Sequence, residues 1–219
     1  MPQILGKFGD DGNRLIRVMS YNIWFENITE ARINALLSVI EDADADFLCL
    51  QEVTDKTLSM LLANKFINLT YCQNGTFSGN SFNSFYGVKI FSRVPAAFYE
   101  LEFEESRMGR SLIVCEPLDT ALPIVATAHF ESLEDFSRLR KIQMEASTKL
   151  LNDIQAKTGR SVVLVGDFNF DPKREDTERV LIENNFRDIM SDFVEKDAFS
   201  MHKTPRFPPW RPDKITISA

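Results

Sequence analysis

No apolar run in this 219-residue chain approaches the roughly 20 residues that a bilayer-spanning helix needs, so no membrane-embedded segment is expected. Residues 1–13, rich in Gly and Asp, lack the apolar core of a secretory leader. Cysteine is scarce. Cys49, Cys72 and Cys115 lie in or beside apolar, strand-like runs without the spacing of zinc ligands, and read as three buried thiols rather than a disulfide frame. Together these absences point to an intracellular, reducing compartment. Basic residues are outnumbered, 25 Lys and Arg against 32 Asp and Glu, for a formal charge of −7. Bulk electrostatics therefore do not draw nucleic acid to this surface, and any such contact has to be local. A carboxylate-rich site can still take a phosphodiester when a metal screens the incoming phosphate. The chain also has no G-x-x-x-x-G-K loop to cradle a nucleotide and no G-x-S-x-G elbow for a serine nucleophile. No internal repeat or low-complexity tract interrupts it, and 44% hydrophobic residues suffice for the core of one domain.

What is present is a set of polar residues at the ends of apolar runs. Asn22 in S-Y-N-I-W follows I-R-V-M, Glu52 in Q-E-V follows F-L-C-L, His129 in H-F-E-S follows P-I-V-A-T-A, and Asp167 and Asn169 in G-D-F-N follow S-V-V-L-V. In α/β proteins ligands gather at the carboxyl ends of strands, where loops carry function and the sheet supplies rigidity. Singly, each residue has a plainer reading. Asn is common where a strand turns into a loop, and a His at a strand end is often a hydrogen-bonded structural residue. Glu52 is harder to explain structurally, because a carboxylate closing an apolar run is costly unless it is paired or bound to a cation. Asp167 and Asn169, two residues apart, are expected on one side of an extended segment. There a carboxylate could accept a proton from water while an amide orients that water or donates to a phosphoryl oxygen. Jointly these residues comprise a hard-metal ligand, a base and three phosphate donors, which are the needs of phosphodiester cleavage.

Along the chain, residues 1–13 read as a loose lead-in and a single domain is expected over 14–219, opening with a strand at 15–23. In A-R-I-N-A-L-L-S-V-I, the residues Ile33, Leu36, Leu37 and Ile40 recur at helical spacing, with Thr29 as N-cap. A strand ending at Gln51, a second helix from Thr54 or Asp55, and a short strand over 67–72 follow. Residues 73–84, rich in Asn, Gly and Ser, read as a loop; with 198–211 it is expected to govern substrate choice. Four strands, F-Y-G-V-K-I-F-S-R, A-A-F-Y-E-L-E-F, S-L-I-V-C-E-P and P-I-V-A-T-A-H, are expected to be antiparallel neighbours. A long amphipathic helix is predicted over 135–157, with an inward stripe of Leu139, Ile142, Met144, Ala146, Leu150, Leu151 and Ile154 and with Gly159 as terminator. A further helix in T-E-R-V-L-I-E-N-N and a strand in D-K-I-T-I-S complete the pattern. The expected fold class is α/β, a four-layer sandwich of two packed mixed sheets flanked by helices.

Taken in order, Asn22, Gln51-Glu52, Y-G-V-K-I-F-S-R-V-P, His129, Asp167 with Asn169, and Asp213 in W-R-P-D-K-I resemble the signposts of the endonuclease/exonuclease/phosphatase superfamily, with its DNase I-like fold, over residues 16–219. M-S-Y-N-I-W-F and H-F-E-S, with Arg140 and Gln143 eleven and fourteen residues beyond His129, are most similar to its tyrosyl-DNA phosphodiesterase group. Glu134 departs from that group, whose animal members carry an Arg soon after the H-L-E-S segment. The resemblance implies that Glu52 binds a single Mg²⁺, with Mn²⁺ as the alternative, and that Asp167 positions and deprotonates the attacking water. It further implies that Asn22, Asn169 and His129 hold the phosphate and that Asp213 orients a catalytic histidine. Arg110, in M-G-R-S-L, matches an Arg near the substrate groove, with a surface ion pair as the plainer reading. The implied substrate is a DNA 5′ end carrying a tyrosyl adduct, the implied process DNA repair, and the implied place the nucleus, with the cytoplasm as alternative. The superfamily carries its catalytic histidine in a Ser-Asp-His motif beyond one more strand. These 219 residues hold no such motif, and His202 precedes Asp213. The expectation is a C-terminally truncated domain lacking the final strand and loop, inactive or weak as it stands. Two alternatives remain: another superfamily phosphodiesterase, such as an abasic-site endonuclease, a sphingomyelinase or an inositol-phosphate phosphatase, or a non-catalytic binding module that lost the final motif.

Overall fold

Alternating apolar residues give each strand a face to bury, and pairing the strands into two sheets buries those faces against each other. The computed structural model describes residues 3–5, 16–73, 85–170, 177–189 and 213–218. One sheet contains β1 (Gln3–Leu5), β2 (Val18–Asn22), β3 (Phe47–Val53), β4 (Cys72–Gln73) and β5 (Gly87–Ser92), in the order β1-β2-β3-β5-β4. The other contains β6 (Ala96–Glu102), β7 (Ser111–Pro117), β8 (Ile124–His129), β9 (Val162–Asp167), β10 (Phe186–Asp188) and β11 (Asp213–Ser218), in the order β10-β11-β9-β8-β7-β6. Both are mixed. β2 and β3 run parallel in the first, β8 and β9 in the second, and the other neighbours are antiparallel. β1, which pairs with β2, lies inside the segment read from sequence as a lead-in.

Among the described residues five α-helices flank the sheets: α1 (Glu30–Ala43), α2 (Asp55–Ala63), α3 (Lys65–Thr70), α4 (Ser137–Thr158) and α5 (Thr177–Glu183). α1 starts where Thr29 Oγ1 accepts the Arg32 N–H at 3.2 Å, and α2 where Thr54 Oγ1 accepts the Thr57 N–H at 3.1 Å. α4 stops at Gly159, whose φ of 67° suits a left-handed cap. Ile33, Leu36 and Ile40 of α1 and Leu61 of α2 are buried; Leu36, Ile40 and Leu61 join Met19, Leu48, Leu50 and Phe91 on the outer face of the first sheet. Met144 and Leu151 of α4, with Val180 and Leu181 of α5, cover Leu112, Val114, Ile124 and Leu164 of the second. The two inner faces meet through Val18, Phe47, Cys49, Ile90, Ile113, Val125, Val165 and Ile215. At about 1.5–3 kcal/mol for each fully buried aliphatic side chain, these cores are the main hold on the four layers.

Several local expectations are corrected. α3 occupies most of the span expected as a strand at 67–72, because Asn64 Oδ1 accepts the Ile67 N–H at 3.1 Å and starts a helix. Cys72 and Gln73 alone of that stretch join the sheet, against β5. The four strands expected to be neighbours divide between sheets: β5 pairs with β3 and β4, whereas β6, β7 and β8 are antiparallel neighbours. The buried face of α4 is Arg140, Gln143, Met144, Ser147, Thr148 and Leu151, while Leu139, Ile142, Ala146, Leu150 and Ile154 are half-buried. Cys49 and Cys115 are buried free thiols, but Cys72 is exposed, its Sγ donating to the Ser92 and Val94 carbonyls at 3.1 and 3.0 Å. The expected loops at 73–84 and 198–211, apart from Gln73, and His202 lie outside the described residues. Among those residues no helix is long and apolar enough to cross a membrane.

Candidate active site

The inner face of each central strand is apolar at one end and polar at the other. β2 presents Val18, Ser20 and Asn22; β3, Phe47, Cys49 and Gln51; β8, Val125, Thr127 and His129; β9, Val163, Val165 and Asp167; and β11, read backwards, Ile217, Ile215 and Asp213. With a side-chain period of two, all five polar ends fall on one side of their sheets. His129, Asp167 and Asp213 are register partners in a single row, and Asn22 pairs with Gln51 in the other sheet. Fully buried Gln51 stitches the sheets together beneath this row, its Nε2 donating to Ser20 Oγ at 3.2 Å and to Thr127 Oγ1 at 3.0 Å.

Glu52 reaches the same end by breaking the alternation. The register of β3 against β5 shifts between Leu50 and Val53, and Glu52 sits there at φ 60°. Such a backbone costs on the order of 1–3 kcal/mol outside glycine and is found where function over-determines it. Asn22 Nδ2 then donates to Glu52 Oε1 at 3.0 Å and to Asp167 Oδ2 at 2.9 Å, bridging carboxylates of opposite sheets. Glu52 Oε2 accepts the Phe25 N–H at 3.0 Å. Asn169 is not carried on an extended segment, as its spacing from Asp167 suggests, but on a turn with φ 54°. Its N–H donates to Asp167 Oδ1 at 3.0 Å, and its Nδ2 to the Phe130 carbonyl at 3.0 Å and Ser132 Oγ at 3.2 Å.

Arg110 is only 5% exposed, which overturns its reading as a surface ion pair. It donates from Nη1 to His129 Nδ1 at 2.7 Å and from Nη2 to Ser132 Oγ at 2.9 Å and Met108 Sδ at 3.3 Å. Its Nε has no partner, and no carboxylate among the described residues pairs with it. Because a guanidinium can only donate, His129 Nδ1 is the acceptor and the proton sits on Nε2, which faces Asp167 Oδ2 across 3.7 Å. Burial, then the Arg110 charge, hold the His129 pKa well below its ordinary value, so the imidazole is neutral. Burial and then the Asp213 charge push the Asp167 carboxyl up to about 7, against the lowering effect of Asn22, the Asn169 N–H and Arg110.

Several contributors stood in the quoted motifs without a role that the sequence assigned. Tyr86 lies under the Arg110 guanidinium at 5.1 Å, tilted against His129 at 6.0 Å and stacked on Phe25 at 4.4 Å. Its phenol pKa is raised, chiefly by burial. Ser132 and Glu131 were visible as letters of H-F-E-S but not in their roles. Ser132 Oγ accepts from both Arg110 and Asn169, which leaves its own hydroxyl proton to donate. Glu131, fully buried, takes Ser106 Oγ, Gln143 Nε2 and the Arg107 N–H, each at 2.9 Å, and Ser106 Oγ accepts the Arg110 N–H at 2.9 Å. α4 thereby fixes the loop that delivers Arg110. Among the described residues no three His, Cys, Asp or Glu side chains gather as a metal cluster. Glu52 nonetheless offers two hard oxygens, each with one hydrogen bond accepted and a lone pair remaining. That fits a cation held by one or two carboxylates together with substrate phosphate, as Mg²⁺ commonly is.

The sequence model of the Endonuclease/Exonuclease/phosphatase family matches residues 19–216. No curated protein sequence matches the chain. Among solved structures, truncated TDP2 from Caenorhabditis elegans superposes at a TM-score of 0.76 with 21% identity, covering 92% of this chain and 83% of that one. Against the longer C. elegans TDP2 the TM-score is 0.70 at 20% identity over 92% of this chain, which spans 64% of that one. D. rerio TDP2 complexed with single-strand DNA product gives 0.71 at 17% identity, covering 93% and 84%. The human Nocturnin catalytic domain, with a bound sulfate anion, gives 0.68 at 21% identity, covering 93% and 82%. At these identities the likeness is one of fold: two mixed sheets under helices, the DNase I-like sandwich.

Proposed function

The chain belongs to the endonuclease/exonuclease/phosphatase family, and from that premise we propose that it is a Mg²⁺-dependent phosphodiesterase that hydrolyses the bond between a tyrosine and the 5′ phosphate of a DNA end, acting in DNA repair in the nucleus. The observation that carries the phosphate part is Arg110. A buried cation hydrogen-bonded to neutral groups, with one donor unmet and no ion pair among the described residues, is costly until an anion arrives, and phosphate oxygens are the anion a guanidinium best matches. The 5′-tyrosyl part rests on H-F-E-S and on the fold shared with TDP2, one example of which is complexed with single-strand DNA product.

In this reading Asp167 takes the proton of a water as the water oxygen attacks phosphorus, and the phosphorus–oxygen bond to the tyrosine breaks, its electron pair leaving on the phenol oxygen. Arg110, the Ser132 hydroxyl and His129 Nε2–H donate to the phosphoryl oxygens as charge builds on them. Both Asn22 amide protons are engaged on carboxylates, so Asn22 holds Glu52 and Asp167 in place. Asn169 likewise orients Ser132 and Asp167. Asp213 acts through its charge, keeping the Asp167 proton affinity near neutrality. Enzymes of this family generally use divalent metals, and Glu52 is the residue that would hold one. When bound it would supply Lewis-acid stabilisation of the phosphoryl and leaving oxygens.

The test is a substrate panel: a 5′-phosphotyrosyl oligonucleotide beside abasic DNA, a nucleoside 2′,3′-cyclic phosphate and a sugar phosphate, each with Mg²⁺ or Mn²⁺. Release of tyrosine that disappears in Asp167→Asn is expected. Turnover of another ester with none of the first would replace the substrate. DNA-end binding without turnover of any ester would make this a binding module.

A further inference from the structure

Trp24 has the left-handed backbone φ 54°, ψ 85°, a conformation that a bulky residue rarely takes without a functional reason. It is also 53% exposed and belongs to none of the three cores. Yet it is firmly held. Its N–H donates to Asn22 Oδ1 at 2.9 Å, and its carbonyl accepts from Arg32 Nη1 at 3.5 Å while Arg32 Nη2 grips the Ile23 carbonyl at 3.1 Å. The Arg32 guanidinium carbon lies over the indole, 5.8 Å from its centroid. Asn22, on which Trp24 rests, is the amide that touches both Glu52 and Asp167. The next residue, Phe25, turns inward onto Tyr86 and so toward His129.

From this half-exposed ring, carried on a pinned backbone beside Asn22, we infer that Trp24 is a stacking platform for the nucleobase next to the scissile phosphate of a single-stranded DNA end. The inference rests on the phosphodiesterase reading above. Every base offers a π face, so the platform supplies affinity without sequence preference, and a backbone fixed in advance reduces the ordering cost of binding. A net charge of −7 gives little electrostatic capture, which leaves stacking and the local Arg110 contact to hold the strand.

Two readouts test it. Trp210→Phe leaves Trp24 as the sole indole of the sequence; its emission is expected to be quenched by a 5′-phosphorylated single-stranded oligonucleotide and not by the same strand with an abasic 5′ residue. Trp24→Leu, with its melting transition checked, is expected to bind the first strand roughly five- to a hundredfold more weakly and the abasic strand equally well. Equal affinity of Trp24→Leu for the normal strand overturns the assignment, as does quenching by phosphotyrosine but not by the oligonucleotide, which would put the leaving-group ring there. Hydrolysis of the phosphotyrosyl substrate with unaltered Trp24 emission overturns the stacking and leaves the phosphodiesterase reading intact. If no oligonucleotide binds, both fall.

Discussion

At the scale of single residues, the site is a set of groups held where they are least comfortable alone. Asp167 keeps a carboxyl raised to about 7, so the folded chain holds that proton more tightly than the unfolded one. Its contribution to stability is complete below about pH 4 and is lost as pH rises through about 7. Turnover needs the deprotonated form, so activity should climb over the same range in which this contribution disappears. Asp167→Asn is expected to cost at least about 10²-fold in turnover, and its melting temperature relative to the parent should improve from pH 5 to pH 8, roughly the span over which the carboxyl titrates. A difference in melting temperature that ignores pH would contradict the raised proton affinity. Arg110→Met keeps much of the apolar stem and removes a buried charge that forms no ion pair among the described residues. Turnover is expected to fall by roughly 10²–10³-fold with thermal stability unchanged or higher; a marked loss of stability would mean that the guanidinium is structural. Asn22, Glu52, His129 and Asp167 were legible in the sequence because strand-end polar residues after apolar runs are conspicuous. Tyr86 was visible only as a letter of Y-G-V-K, and its role was not, because a Tyr before a strand is ordinary until the other sheet brings His129 and Arg110 against it.

At the scale of elements, the parallel pair β8/β9 is the backbone of the site and is packed unusually closely. A Cβ added at Gly166, which has φ 141°, would lie 2.0 Å from the Ala128 carbonyl oxygen. Gly166→Ala is therefore expected to destabilise by about 3 kcal/mol or more in urea unfolding and to disturb the His129 and Asp167 row; a loss below roughly 1 kcal/mol would mean that the strands can part. Two caps were readable in advance, Thr29 and Gly159, and the start of α2 to within a residue, at Thr54 or Asp55. α3 was not, because six residues carry too little periodicity to separate a helix from a strand, and the deciding contact is Asn64 capping Ile67. The polar seam of α4 was missed for another reason. Periodicity assigns Arg140 and Gln143 to solvent, but Arg140 Nη1 donates to the Glu131 and Leu133 carbonyls at 2.9 and 2.6 Å, and Gln143 Nε2 to the Glu105 carbonyl at 3.0 Å. Loops that arrive from elsewhere turn that face into an interior.

At the scale of the whole molecule, the cores hold the sandwich while the polar strand ends hold the chemistry, and the two should separate on metal removal. Chelation is expected to abolish turnover and to leave the melting transition within about 2 °C, since binding at one carboxylate contributes little to a fold with three apolar cores; joint loss of both would make the metal structural. The amino-acid sequence by itself determined the α/β class, most element positions and the strand ends that carry Asn22, Glu52, His129 and Asp167, because alternation, helical period and capping act over a few residues and are written locally. Tertiary structure alone decided that β5 and β6 part into different sheets, that Arg110 is buried against His129 rather than paired at the surface, and that Asn22 bridges Glu52 to Asp167. Each of these is a contact between residues remote in the chain, whose energy exists only once the two sheets have closed on one another.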